Sequence, residues 1–231
     1  MTPTTQDTPA HLIPNWRTGE DAFTKLPRGN HHISREEVVA SQKGRIIRAI
    51  LELVGEEGPA SVSISEVARR AKVSRKTYYS IFRSFDEGLN QAFVTAHLIL
   101  GFETAEAVEN ADLSQPYPRL RAMVTEFFEM AIEESVLATA IVGTPVSTKN
   151  GLGPIWLDVR NAQTQILKNY WAADRESAGI NDTANPTKSA CLASIALISA
   201  TILDALAAGK QAKLKSQVDE VLTTIVGLLS P

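Results

Sequence analysis

The densest group of side chains spaced for chemistry in this 231-residue sequence is basic and hydroxylated. Ser74, Arg75, Lys76, Thr77, Tyr79, Ser80 and Arg83 fall within ten residues of one another. Guanidinium and ammonium groups neutralise phosphates and can read guanine edges, and hydroxyls donate to phosphate oxygens. Read as a helix, the stretch turns Tyr78, Ile81 and Phe82 to the opposite side, so one face is apolar and the other cationic. Ser63 and Ser74 stand where short helices would begin, and free backbone N–H groups at such ends favour an anion. A solvated basic helix would carry the same residue types, so this cluster alone leaves both readings open.

Other reactive residues are isolated. His11, His31, His32 and His97 have no ligand partners at useful spacing. The single cysteine, Cys191, excludes an internal disulfide and a zinc cluster; on an apolar helix it reads as a buried hydrophobe. Glu133 and Glu134 are adjacent, and neighbours on a helix diverge in direction. There is no nucleophile elbow, phosphate loop or dinucleotide fingerprint, so the sequence is read as a non-enzyme needing no metal or cofactor. Met123, Phe127, Phe128, Trp156 and Tyr170 are candidate lining for a ligand pocket, with packing in an ordinary core as the alternative.

These residues must be carried by helices, because apolar positions recur at helical rather than strand spacing. Ser34 with Glu37, Ser63 with Glu66 and Ser84 with Glu87 each have the spacing of a capping box. They open a first helix ended by Gly58 and Pro59, a short second helix, and a long fourth. Between the last two, Ser74 caps a third helix of about Arg75 to Phe82. Further helices are expected over about 118–135, 155–178, 187–208 and 213–230, with loops at 143–154 and 179–186. Leu214, Val218, Val221, Leu222 and Ile225 form a wide apolar stripe on the last helix, the candidate surface joining two copies of the chain. Intrachain core is the other reading of that stripe.

Net charge is −3, yet residues 25–90 hold 12 Lys/Arg against 8 Asp/Glu, so positive charge is concentrated ahead of an acidic remainder. With 44% hydrophobic and 21% charged residues the composition is that of an ordinary globular chain. The opening residues lack a basic start and an apolar run, and the apolar stretch 189–203 is shorter than the roughly 20 residues of a span. A cytoplasmic protein without a membrane partner is expected. Residues 1–33, rich in proline and without periodicity, are expected to form a mostly disordered arm, in which Arg28 is a further candidate DNA contact.

The stretches "RIIRAILELVGEEG", "SVSISEVARRAKVSRKTYYSIF" and "RSFDEGL" resemble the DNA-binding domain of the TetR (tetracycline-repressor) family of regulators. The resemblance covers residues 42–92, and "LPRGNHHISREEVVASQ" is similar to a lead-in found in one subset of the family. It implies an all-α protein: a three-helix helix-turn-helix domain over 34–84, then a helical ligand-binding and dimerisation domain over 85–231. It implies a homodimer that reads a palindromic operator, most simply a repressor released by a small-molecule effector. Lys76, Thr77 and Tyr79 then fall on positions that touch DNA. Three positions depart from the family pattern: Lys72 where glycine is usual, Ile81 where histidine is frequent, and Phe85 where lysine is common. If position 72 keeps a positive φ, a non-glycine residue costs roughly 1 kcal/mol there. The alternative is a helical small-molecule or lipid carrier with an incidentally basic N-terminus, which would have no reason to display Arg75 to Tyr79.

Overall fold

The structure, a computed structural model, describes residues 34–144, 152–180 and 185–230. Among them every regular element is helical: α1 (Arg35–Glu57), α2 (Ile64–Arg70), α3 (Arg75–Ile81), α4 (Phe85–Glu109), α5 (Pro118–Glu133), α6 (Ser135–Gly143), α7 (Leu152–Ser177), α8 (Lys188–Ala207) and α9 (Leu214–Leu229). Arg28 lies outside the described residues.

Serine caps open the N-terminal helices, but only one of the three expected capping boxes closes. At α1 the Ser34 hydroxyl accepts from Glu37 N at 3.1 Å, and the Glu37 carboxylate accepts from Ser34 N at 2.6 Å. At α2 Glu66 turns instead to Arg69, at 2.8 Å. At α4 the Glu87 carboxylate accepts from Arg83 N at 2.7 Å, one residue short of the cap. In both cases a nearby donor competes for the carboxylate, and spacing alone cannot tell which donor wins. Gly58, with φ +77°, ends α1 in a conformation that suits glycine.

The segment after α5 departs from expectation. Instead of one helix to about residue 135, the chain breaks at Glu134 (φ −126°, ψ 57°) and a separate α6 follows. The break turns Glu134 toward α1, where its carboxylate meets Arg48 at 3.0 Å. α6 then lies so close to α1 that a Cβ on Gly55 would sit 2.1 Å from the Val136 carbonyl oxygen. Leu137, Ala140 and Ile141 of α6 share one apolar core with Ile46, Ile50, Tyr78, Phe82, Leu89 and Phe93. A second core joins Leu120, Val124 and Phe128 to Trp171, Ile198, Ile202 and Ile225.

α5 has no side-chain cap of its own. Its first N–H groups are satisfied from α7: the buried Asp174 carboxylate accepts from Arg119 N at 3.1 Å and Leu120 N at 3.0 Å, and meets the Arg119 guanidinium at 3.1 Å. A carboxylate at a helix N-terminus also opposes the positive end of the helix dipole.

One expectation about the C-terminal helices is corrected. Leu214, Val221, Leu222 and Ile225 are between 0% and 5% exposed within one protomer, packed into the second core, and Val218 packs partly buried against it. That stripe is intrachain core and not the surface joining two copies. α8 is by length and composition long and apolar enough to cross a membrane. The helix runs on past Leu203 through Asp204 to Ala207, and it buries Cys191, Ser194, Ile198 and Ile202 against the bundle.

Candidate nucleic-acid interface and ligand cavity

α2 and α3 form the two-helix unit. Ala71, Lys72 and Val73 make the turn, with Lys72 in the left-handed region at φ +53° and Val73 N donating to Ala68 O at 2.9 Å. Arg45 from α1 donates to the carbonyls of Ala71 (3.0 Å) and Lys72 (3.3 Å), which holds the turn against the long first helix. The backbone thus keeps the conformation that glycine would adopt freely, and a lysine accepts its cost.

The inner side of α3 is Tyr78 and Phe82, at 0% and 3% exposure, with Ile81 packed half-buried beside them. Tyr78 donates to the Ser84 carbonyl at 3.1 Å, and burial pushes its phenol up to about 12. A Cβ on Gly88 would meet that phenol oxygen at 2.5 Å, so the glycine admits the ring between α3 and α4.

The outer side carries Arg75, Lys76, Tyr79, Ser80 and Arg83, all exposed, with Thr77 partly so. The Ser74 hydroxyl is engaged locally: it accepts from Thr77 N at 3.0 Å and lies 2.9 Å from the Thr77 hydroxyl. Ser63 likewise accepts from Glu66 N at 3.2 Å. Both serines are exposed at their helix starts.

The charges on the two helices are treated differently. On α2, Arg69 pairs with Glu66, and Arg70 pairs with Glu56 at 2.7 Å and Glu52 at 3.4 Å. On α3 and just after it, Arg75, Lys76 and Arg83 pair with none of the described carboxylates. The face is an exposed cationic strip with a tyrosine at its centre.

A cavity of about 420 Å³ lies between α4, α5, α6, α7 and α8. Of the expected lining residues, Met123, Phe127, Trp156 and Tyr170 reach it. Phe128 does not: it is fully buried in the second core, because its neighbour Phe127 takes the cavity side and successive helical residues point about 100° apart. Residues missed from sequence include His97, Ile141, Arg160 and Gln163. Ile141 sits on the unforeseen α6. His97 was set aside because a lone histidine carries no spacing signal. Its Nδ1 lies 2.9 Å from the Phe93 carbonyl oxygen, so that nitrogen carries the proton and donates. Burial pushes its pKa below the usual range; the bond to Phe93 opposes this and Arg160 adds to it. The Arg160 guanidinium stacks 4.7 Å from the Trp156 ring centre.

Residues 46–87 match the family model described as bacterial regulatory proteins, tetR family. No curated protein matches the chain. Among solved structures, the fatty acid degradation regulator FadR from Bacillus halodurans superposes with a TM-score of 0.68 at 18% identity, over 80% of this chain and 94% of that one. FadR from Bacillus subtilis, in complex with stearoyl-CoA, gives 0.64 at 17% identity, over 80% and 98%. NalD, the secondary repressor of the MexAB-OprM multidrug efflux pump in Pseudomonas aeruginosa, gives 0.62 at 18%, over 84% and 98%. Residues 46–87 thus carry a unit of the tetR family of bacterial regulatory proteins, and the chain as a whole shares the fold of these helical structures.

Proposed function

We propose that the protein is a cytoplasmic transcriptional regulator, without enzymatic activity, that binds a palindromic operator as a homodimer and is released when a small molecule fills the cavity. Residues 34–84 would serve as the DNA-reading unit and 85–231 as the effector and dimerisation unit. The observation that carries the reading is the cationic face of α3, which pairs with none of the described carboxylates, beside a helix whose arginines are paired. A solvated structural helix gains from neutralising such charges, whereas a helix that docks in a major groove needs them for phosphate and base edges. Arg75, Lys76, Thr77, Tyr79 and Arg83 are the proposed contacts, with Ser63 and Ser74 presenting helix N-termini to phosphates. FadR is bound to stearoyl-CoA, and NalD is named a repressor, which supports an effector-responsive repressor here.

The homodimer surface would be the outer face of α8, where Ala193, Ala196, Ala200 and Ala207 are exposed on one side of the helix together with Asp204 near its end. Small side chains there would let two copies of α8 approach closely.

Selection from random duplex DNA followed by gel-shift titration tests the function. The enriched site should be palindromic. Lys76→Ala and Tyr79→Phe should each weaken binding by about 1–3 kcal/mol with an unchanged melting curve, Tyr79→Phe doing so for all sequences alike. Enrichment of no sequence, or undiminished binding by both variants, would overturn the assignment.

A further inference from the structure

Resting on the reading of the cavity as the effector site, we propose that the effector is an amphipathic anion: an apolar body of about ten carbons with one acidic head seated against Arg160. Three observations carry this. The wall is apolar on most sides, with Phe93, Leu100, Phe127, Ile166 and Ile198 facing the space. At roughly 30 Å³ per small group, the liquid share of a water molecule, 420 Å³ holds about fourteen non-hydrogen atoms, room for ten carbons and an acidic head. Arg160 is half-buried in this wall and pairs with no described carboxylate.

A guanidinium removed from water without a counter-ion is costly, and burial pushes Arg160 below its ordinary pKa. The Trp156 ring beneath it, at 4.7 Å, offsets part of this through its negative face and fixes the plane of the fork. A carboxylate arriving edge-on can accept two parallel hydrogen bonds from a guanidinium held this way. His97, which lines the same cavity, has its pKa pushed down by burial, so at neutral pH it adds no second positive charge. One cation in an otherwise apolar space selects one negative head and rejects a cationic one.

Isothermal titration of the full chain, without DNA, with decanoate, 1-decanol and decyltrimethylammonium tests the head-group. Decanoate should bind at least tenfold more tightly than decanol, and the quaternary ammonium should not bind measurably. In Arg160→Gln the preference for decanoate should collapse while decanol affinity holds; Arg160→Lys should keep part of it. The comparison in the unsubstituted protein needs no variant, so a poorly folded Arg160→Gln leaves the test intact. Equal affinity for acid and alcohol, or binding of neither, overturns the proposal. Operator binding measured separately keeps the two readings apart. A protein that binds its palindrome but shows no acid preference loses only the ligand class, and one that binds decanoate but no DNA loses the regulator.

Discussion

At the residue scale, Lys72 and His97 show how single positions carry strain and charge that neighbours enforce. Lys72 is exposed at φ +53° in the turn between α2 and α3, pinned by Arg45 through its carbonyl. Lys72→Gly removes the left-handed penalty of roughly 1–2 kcal/mol and gives back part of it as unfolded-chain entropy. The variant should therefore melt at the same temperature or higher, by up to about 1 kcal/mol, while Lys72→Val should lose about 1 kcal/mol or more. Thermal melts followed by circular dichroism check both; a destabilised Lys72→Gly would mean the lysine side chain has a compensating role. His97 has a folded pKa below its unfolded value near 6.5, because burial disfavours the charged ring. Above that value both states are neutral and stability is full. As pH falls through it, the unfolded chain takes up a proton that the folded one refuses, so stability is lost. Melting temperature should fall from about pH 7 to about pH 5.5, and His97→Gln should flatten that slope. An identical slope would place the titration elsewhere.

At the element scale, α6 is the piece that ties the DNA-reading unit to the cavity. Its start contacts α1 through Val136 against Gly55, with Glu134 just ahead of it against Arg48, and Ile141 and Val142 of its second half line the cavity. Gly55→Ala forces a methyl group into the Val136 carbonyl, and backbone cannot swing aside as a side chain can. Over-packing of this kind should cost about 1–3 kcal/mol in a denaturant titration, and DNA affinity should fall although no residue of α3 is touched. Unchanged stability would show that the two helices separate freely. α5 illustrates the same dependence on a remote partner, since its cap, Asp174, lies more than fifty residues along the chain.

At the scale of the whole molecule, the proposed pairing must use a face of the C-terminal helices that the protomer does not itself cover. Val221 is 5% exposed inside the protomer, so Val221→Asp should lower stability by several kcal/mol by burying an unpaired carboxylate, and give misfolded material rather than clean monomers. Ala196→Asp, on the outer face of α8, should leave the melt of the protomer little changed and shift light scattering to the monomer mass. Operator binding should be lost with it, because one recognition helix reads too few base pairs. A tight dimer after Ala196→Asp would move the interface off this face.

Local patterns sufficed for much of this protein. Capped starts at Ser34, Ser63, Ser74 and Ser84, apolar positions at helical spacing, and a basic outer face on α3 are properties of neighbours within a few residues. The N-terminal helices and the two-helix unit were therefore legible in the sequence. What required the tertiary structure was every question of partner. An apolar stripe such as Leu214 to Ile225 records that a face is covered, not by which chain, and here it is the same chain. Phe127 and Phe128 have the same chemistry in sequence, and only the arrangement of five helices sends one to a cavity and the other to the core. The break at Glu134 is met by Arg48 of α1, and Arg160 has no described carboxylate in ion-pair range, neither of which a single segment can show. Helical periodicity is set by backbone geometry and is visible in one segment; burial, pairing and enclosure are set by distances between segments, which close only when the chain is folded.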